Sequence, residues 1–193
     1  MPLALLNDPP DSTATPAIAT VHPLPDTTLP IERLIASALT LTNVSEQGGE
    51  NRGQMVELML REVDLPAGEP WCAAYVYHTG YWSQYNPATQ HSTWPLPKTG
   101  ACATLGAFAT AHDLLHATPI RGDIFLMYFP SLHRFAHTGI VLSVTETTSA
   151  YLCTTIEGNT NDDGSRDGWK TCIKSRGFKK TDGHRFIRWG TLT

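Results

Sequence analysis

Along the first half of the chain apolar residues recur at three- and four-residue steps, and along the second half they crowd into short β-branched or aromatic runs. Ile31, Leu34, Ile35, Ala38 and Leu39 form one stripe behind Pro30, a residue that suits a first helical turn, so the pattern predicts an amphipathic helix. After the turn-forming GGENRG, Met55, Leu58, Met59 and Val63 share a second helical face until Pro66 and Gly68 break it. In PWCAAYVYHTGYW, Ala73, Ala74 and Val76 predict a short third helix with Cys72 at its N-terminus. The Ala-rich stretch from Cys102 to Leu115 predicts a fourth, weakened by Gly106.

The runs DIFLMYF, HTGIVLSV, AYLCTTIEG, WKTCIKSR and RFIRWG are separated by Gly, Asp, Asn and Ser clusters, which predicts about five strands joined by short turns in an antiparallel sheet. Helices first and strands second describe an α+β domain, its helices grouped against the sheet rather than alternating with strands. Six prolines and five threonines fall within residues 1–28, where hydrophobic periodicity is weak, so this segment reads as an extended or disordered tail ahead of a domain over 29–193.

The chain has 193 residues, of which 41% are hydrophobic, enough for one domain with a real core. Its net charge of -4 and its 14 Lys and Arg without a long run argue against nucleic acid as a partner. No stretch approaches the roughly 20 apolar residues that cross a bilayer, so no membrane span is expected. The start MPLALLNDPP lacks a basic region before its apolar residues, so it does not read as a secretory signal. Synthesis in the cytoplasm is expected, with action elsewhere reached by lysis, delivery or non-classical export.

Four cysteines, Cys72, Cys102, Cys153 and Cys172, are too few for a disulfide scaffold and lack paired zinc spacing, so thiol chemistry becomes the question. A thiol attacks as its thiolate, and a helix N-terminus lowers the pKa of a cysteine placed there while its free N–H groups can receive an oxyanion. Cys72 is predicted at such a position. The nucleophile also needs an imidazole, and His137, opening the run HTGIVLSV, is better held on a strand than His133 in the loop PSLHRFA. The imidazole in turn needs an acceptor for its second N–H. In TTIEGNT, Glu157 and Asn159 are two apart and would share one face of a strand, so either could serve.

At this point the segments PWCAAYV, RGDIFL, HTGIVLSV and TIEGNTND, with GGENRGQMVELML upstream, resemble the successive signature segments of CHAP domains, the cysteine- and histidine-dependent amidohydrolase/peptidase family of the papain-like superfamily. The resemblance spans about residues 46–161. It implies a papain-like α+β fold and hydrolysis of amide bonds in peptidoglycan, by an N-acetylmuramoyl-L-alanine amidase or a peptide endopeptidase. It implies Cys72 as nucleophile, His137 as base, Glu157 as the orienting residue with Asn159 beside it, and no metal or organic cofactor. Peptidoglycan is the implied substrate, and a delivery or immunity protein an implied partner. Two other readings stand beside it: an amidase on a small γ-glutamyl or polyamine conjugate, and a catalytically silent peptide-binding module.

Departures from family patterns are also legible. DLPAGEPWC has too few carboxylates for the calcium loop of some phage lysins, and Pro66 stands where papain's spacing puts an oxyanion-hole glutamine. The run NTNDDGSRDG, with Asp162, Asp163 and Asp167, lacks EF-hand spacing and reads as a hairpin connection. His133 and His137 form an H-x-x-x-H pair without the glutamate of a helical zinc motif, so no metal site is expected. Cys153 and Cys172 are expected to be free. Trp71 and Asn51 are candidates for contacting substrate, against the plainer readings of core aromatic and turn asparagine.

Overall fold

Pro30 opens the first helix, as its fixed φ and missing N–H allow, and the computed structural model describes residues 29–162 and 168–192. The tail over 1–28 and the aspartates 163 and 167 lie outside the described residues. The helices are α1 (Pro30–Thr40), α2 (Gln54–Glu62), α3 (Cys72–Ser83) and α4 (Cys102–Ala111). A two-residue hairpin, β1 (Tyr85–Asn86) with β2 (His91–Ser92), lies between the last two.

The remaining strands are β3 (Leu115–His116), β4 (Ile124–Phe129), β5 (Arg134–Glu146), β6 (Ala150–Thr160), β7 (Lys170–Lys179) and β8 (Arg185–Ile187). They form one antiparallel sheet in the order β3-β8-β4-β5-β6-β7, so the fold is α+β with helices preceding the sheet. The sheet has six strands rather than the expected five. The addition, β3, is two residues long and carries no periodic signal of its own; its first residue, Leu115, falls within the stretch from Cys102 to Leu115 that predicts a helix. That helix stops at Ala111, because Asp113 adopts φ 55° and the N–H of Leu114 turns back to the carbonyl of Ala109.

Strand alternation divides the core. On one sheet face Ile124, Leu126, Ile140 and Ile156 pack beneath Leu34, Met59, Leu60 and Tyr75 of the helices. The other face carries a smaller cluster of Phe125, Val141, Tyr151, Cys153, Phe178 and Phe186. The buried residues of α2 are Val56, Met59 and Leu60, followed by Val63, which rotates the predicted face by one position. Helix α3 is buried nearly all round, as a helix without a polar stripe must be. It is also longer than the short helix expected. Among the described residues no helix is long and apolar enough to cross a membrane.

Two glycines set the spacing of these layers. At Gly158 of β6 a Cβ would stand 2.6 Å from the Tyr75 Cβ and 2.7 Å from the Trp71 ring, so only glycine lets α3 lie this close to the sheet. At Gly106, which weakened the prediction of α4, a Cβ would stand 2.6 Å from the Phe135 ring. The local cost of a helical glycine is exchanged for contact between α4 and β5.

Candidate active site

Trp71 precedes α3 without making a side-chain cap, so the first-turn N–H groups of the helix keep their capacity to bind negative charge. Cys72 occupies the first helical position, 5% exposed, and the N–H of Ala73 supports its sulfur. Cys102 occupies the same position in α4, also without a side-chain cap, and is also 5% exposed. The two sulfurs are 3.7 Å apart. Two helix N-termini therefore converge on one pair of thiols, an arrangement that favours a thiolate there.

His137 supplies the imidazole. It lies inside β5 rather than at its start, because the β4–β5 hairpin continues pairing back to Arg134 past an irregularity between Met127 and Tyr128. Its Nε2–H donates to Glu157 Oε2 at 2.8 Å, and both side chains are fully buried. Nδ1 is the nitrogen left for Cys72. It has no hydrogen-bond partner among the described residues, while the thiol and imidazole are close enough to shift one another towards the charged pair. Catalytic hydrogen bonds are commonly loose before substrate arrives and tighten with it.

Glu157 is held from three further directions. Arg176 donates from Nε to Oε1 and from Nη2 to Oε2, both at 2.5 Å, and the Thr155 hydroxyl donates to Oε1 at 2.5 Å. Burial alone would raise the carboxyl's pKa, but the hydrogen bonds and charges of Arg176 and His137 hold it down at about 2. Burial likewise works against a charged His137, and Cys72 and Glu157 together overcome it, raising the imidazole to about 9. The Cys72 thiol is driven well below its ordinary value, first by the hydrogen bond from Cys102 and then, against burial, by His137. Cys102 is driven the opposite way by the same contact, so it remains the protonated donor. These directions favour a Cys72 thiolate paired with a His137 imidazolium, backed by the Glu157 carboxylate.

Sequence reasoning left Glu157 and Asn159 as alternatives on one strand face. The strand does not keep its alternation: register shifts between Glu157 and Thr160, and Asn159 adopts φ 55°, a conformation asparagine tolerates better than most residues. Glu157 is the one that meets His137, while Asn159 is buried and accepts the Gly168 N–H on its backbone carbonyl.

Trp71, a candidate for contacting substrate, is instead fully buried, with its indole N–H on Glu46 Oε1 at 3.0 Å. It braces the nucleophile's turn. Glu46 also accepts the backbone N–H of Asn51 through Oε2 at 2.8 Å, and the Asn51 amide donates to the Gly68 carbonyl at 3.2 Å. Asn51, at φ 53°, is thus a turn asparagine that ties together the loops before α2 and α3.

A second histidine–carboxylate pair, His78 Nδ1 with Glu62 Oε2 at 2.6 Å, joins α2 to α3, with the Trp82 indole on the other carboxylate oxygen. It has the same donor chemistry, but its hydrogen-bond partners among the described residues include no thiol. Cys153 lies opposite Arg176 and Cys172 opposite Glu157, so those two cysteines are offset along the β6–β7 ladder and are free. Asp162 pairs with Lys170 at 2.7 Å.

Between α4 and the β4–β5 hairpin lies a groove of about 550 Å³. Its floor is the Ala103, Gly106, Ala107 face of α4, and Tyr128, Arg134 and Arg185 stand on its walls. Ala103 adjoins Cys102 in α4, so the groove borders the helix that carries the second thiol. Among the described residues no carboxylate lines it.

Arg176, Cys102 and Glu46 were missed from sequence. Arg176 reaches Glu157 only through strand pairing, and Cys102 and Glu46 lie on other elements from the residues they contact; no local pattern marks any of them. No family model, no curated protein and no solved structure matches this chain.

Proposed function

We propose that this protein is a cysteine-dependent amide hydrolase of the CHAP type, with a papain-like fold, that cleaves peptidoglycan as an N-acetylmuramoyl-L-alanine amidase or a peptide endopeptidase. The observation that carries the reading is the buried chain from Cys72 through His137 to Glu157, which supplies a charged nucleophile and a tautomer-fixed imidazole together.

In the reaction the Cys72 thiolate attacks the amide carbonyl, and the first-turn N–H groups of α3 stabilise the developing oxyanion. His137 gives its Nδ1 proton to the leaving amine, leaving a thioester on Cys72. Water then attacks the thioester with neutral His137 as base, and the thiolate leaves. Glu157 holds the ring with its Nε2–H inward throughout, so Nδ1 is always the nitrogen that exchanges the proton. The groove along α4 suits a peptide bearing carboxylates, as wall stem peptides do, because Arg134 and Arg185 face it without competing acids.

The test is mass spectrometry of fragments released from purified peptidoglycan by the intact protein and by Cys72→Ala under reducing conditions. Fragments released by the intact protein alone are expected, their new termini identifying the bond. A folded Cys72→Ala variant with undiminished release would overturn the mechanism, and no release by either protein from several wall types would overturn the substrate.

A further inference from the structure

Cys102 forms and breaks no bond in the hydrolytic scheme, yet its sulfur lies 3.7 Å from the nucleophile's and is equally buried. Both cysteines begin helices, so packing fixes both backbones: Trp71 and Ala73 beside one, Leu105 and Ala109 beyond the other, are all in the core. Forming a bond of about 2.05 Å requires the sulfurs to approach by less than ~2 Å. The offset of Cys153 and Cys172 along their ladder gives those thiols no such approach to each other.

We propose that Cys72 and Cys102 form a reversible disulfide, with Cys102 the resolving thiol that protects the nucleophile from irreversible oxidation. The oxidant is a hydroperoxide. The Cys72 thiolate attacks the distal peroxide oxygen; an S–O bond forms, the O–O bond breaks, and the departing alkoxide or hydroxide takes the proton of the His137 imidazolium. Cys72 is then a sulfenic acid, with two electrons transferred to the peroxide. Cys102 next attacks the Cys72 sulfur; the S–S bond forms, the S–O bond breaks, and the leaving hydroxide combines with the Cys102 proton as water. An external dithiol restores both thiols and is itself oxidised to a disulfide.

The resting site controls the order of these steps. While Cys72 is a thiolate, its hydrogen bond keeps Cys102 protonated and unreactive. Oxidation of Cys72 removes that negative charge, and the N-terminus of α4 then favours the Cys102 thiolate. The resolving thiol is thereby released only after the nucleophile has been oxidised. This inference depends on the thiol pair and not on which amide the protein cleaves.

The experiment treats the reduced full chain with hydrogen peroxide, blocks remaining thiols, and maps peptides by mass spectrometry before and after dithiothreitol. The expected result is a Cys72–Cys102 cross-linked peptide pair, lighter by two hydrogens, that returns fully to free thiols. In Cys102→Ala, and in the near-isosteric Cys102→Ser should the alanine variant misfold, Cys72 is expected to gain two or three oxygens that dithiothreitol does not remove. Cys72 carrying those oxygens in the unaltered chain without the cross-link, or pairing with Cys153 or Cys172, would overturn the proposal. So would recovery of Cys72 to the same extent with and without Cys102.

Discussion

A carboxylate with no exposed surface is tolerated only when its charge is met in place, and Glu157 is met by Arg176, Thr155 and His137 together. Replacing it by glutamine keeps an acceptor for the His137 ring but removes the charge that helps hold the imidazolium at about 9. The thiolate–imidazolium pair exists only below that value, so the alkaline limb of kcat/KM is expected near 9. In Glu157→Gln the limb is expected to move to lower pH and kcat/KM to fall by about 10²-fold. A limb that stays near 9 in the variant would show that Glu157 does not support the charge. Folding stability does not share this signature: the loss expected from the raised His137 as pH climbs from 6.5 through about 9 is opposed by the gain from the lowered Cys72 thiol, because the folded and unfolded pairs exchange few protons there. Urea unfolding of Glu157→Gln is expected to show a stability lower by about 3–5 kcal/mol, because Arg176 loses its buried partner.

Helix α3 fixes the nucleophile through its contact with β6, and Gly158 is where the two come closest. Gly158→Ala places a methyl group against Tyr75 and Trp71, so α3 must move outward at the end that carries Cys72. A loss of about 1–3 kcal/mol in chemical denaturation is expected. It should come with a fall in kcat larger than the change in KM, since the displacement separates Cys72 from His137; unchanged kcat would mean the helix can shift without disturbing the site. Helices α1 and α2 were legible because their apolar residues recur at the helical period, and the longer strands because β-branched and aromatic runs lie between turn signals; α3 and α4, without an apolar stripe, were marked by composition instead. Where the signal was short or interrupted it misled. Two-residue β3 offered no period, Asp113 ended α4 by adopting a conformation that apolar spacing does not encode, and β5 began before His137 because hairpin pairing extends through polar Arg134. Cys72, His137 and Glu157 stood out because each sits within a distinctive local run. Arg176 and Cys102 complete the site only once distant segments are folded together.

At the level of the whole molecule, a chain of net charge -4 presents a groove walled by Arg134 and Arg185 with no acid among its lining residues. Such a local reversal of charge attracts anionic peptides at short range. The double variant Arg134→Ala, Arg185→Ala is expected to raise KM about tenfold on stem peptides with free carboxylates, each lost contact being worth roughly 1 kcal/mol or less in an open groove. On the corresponding amidated peptides KM should hardly change; equal weakening on both would remove the charge argument.

The separation of the catalytic groups along the chain has a consequence for biosynthesis. Cys72 emerges from the ribosome well before His137, Glu157 and Arg176, which all belong to the later sheet. Until β5, β6 and β7 pair, its sulfur is an ordinary cysteine thiol, mostly protonated at neutral pH. A nascent or truncated chain therefore carries the nucleophile in an unarmed form, and reactivity is acquired with the last strands of the fold.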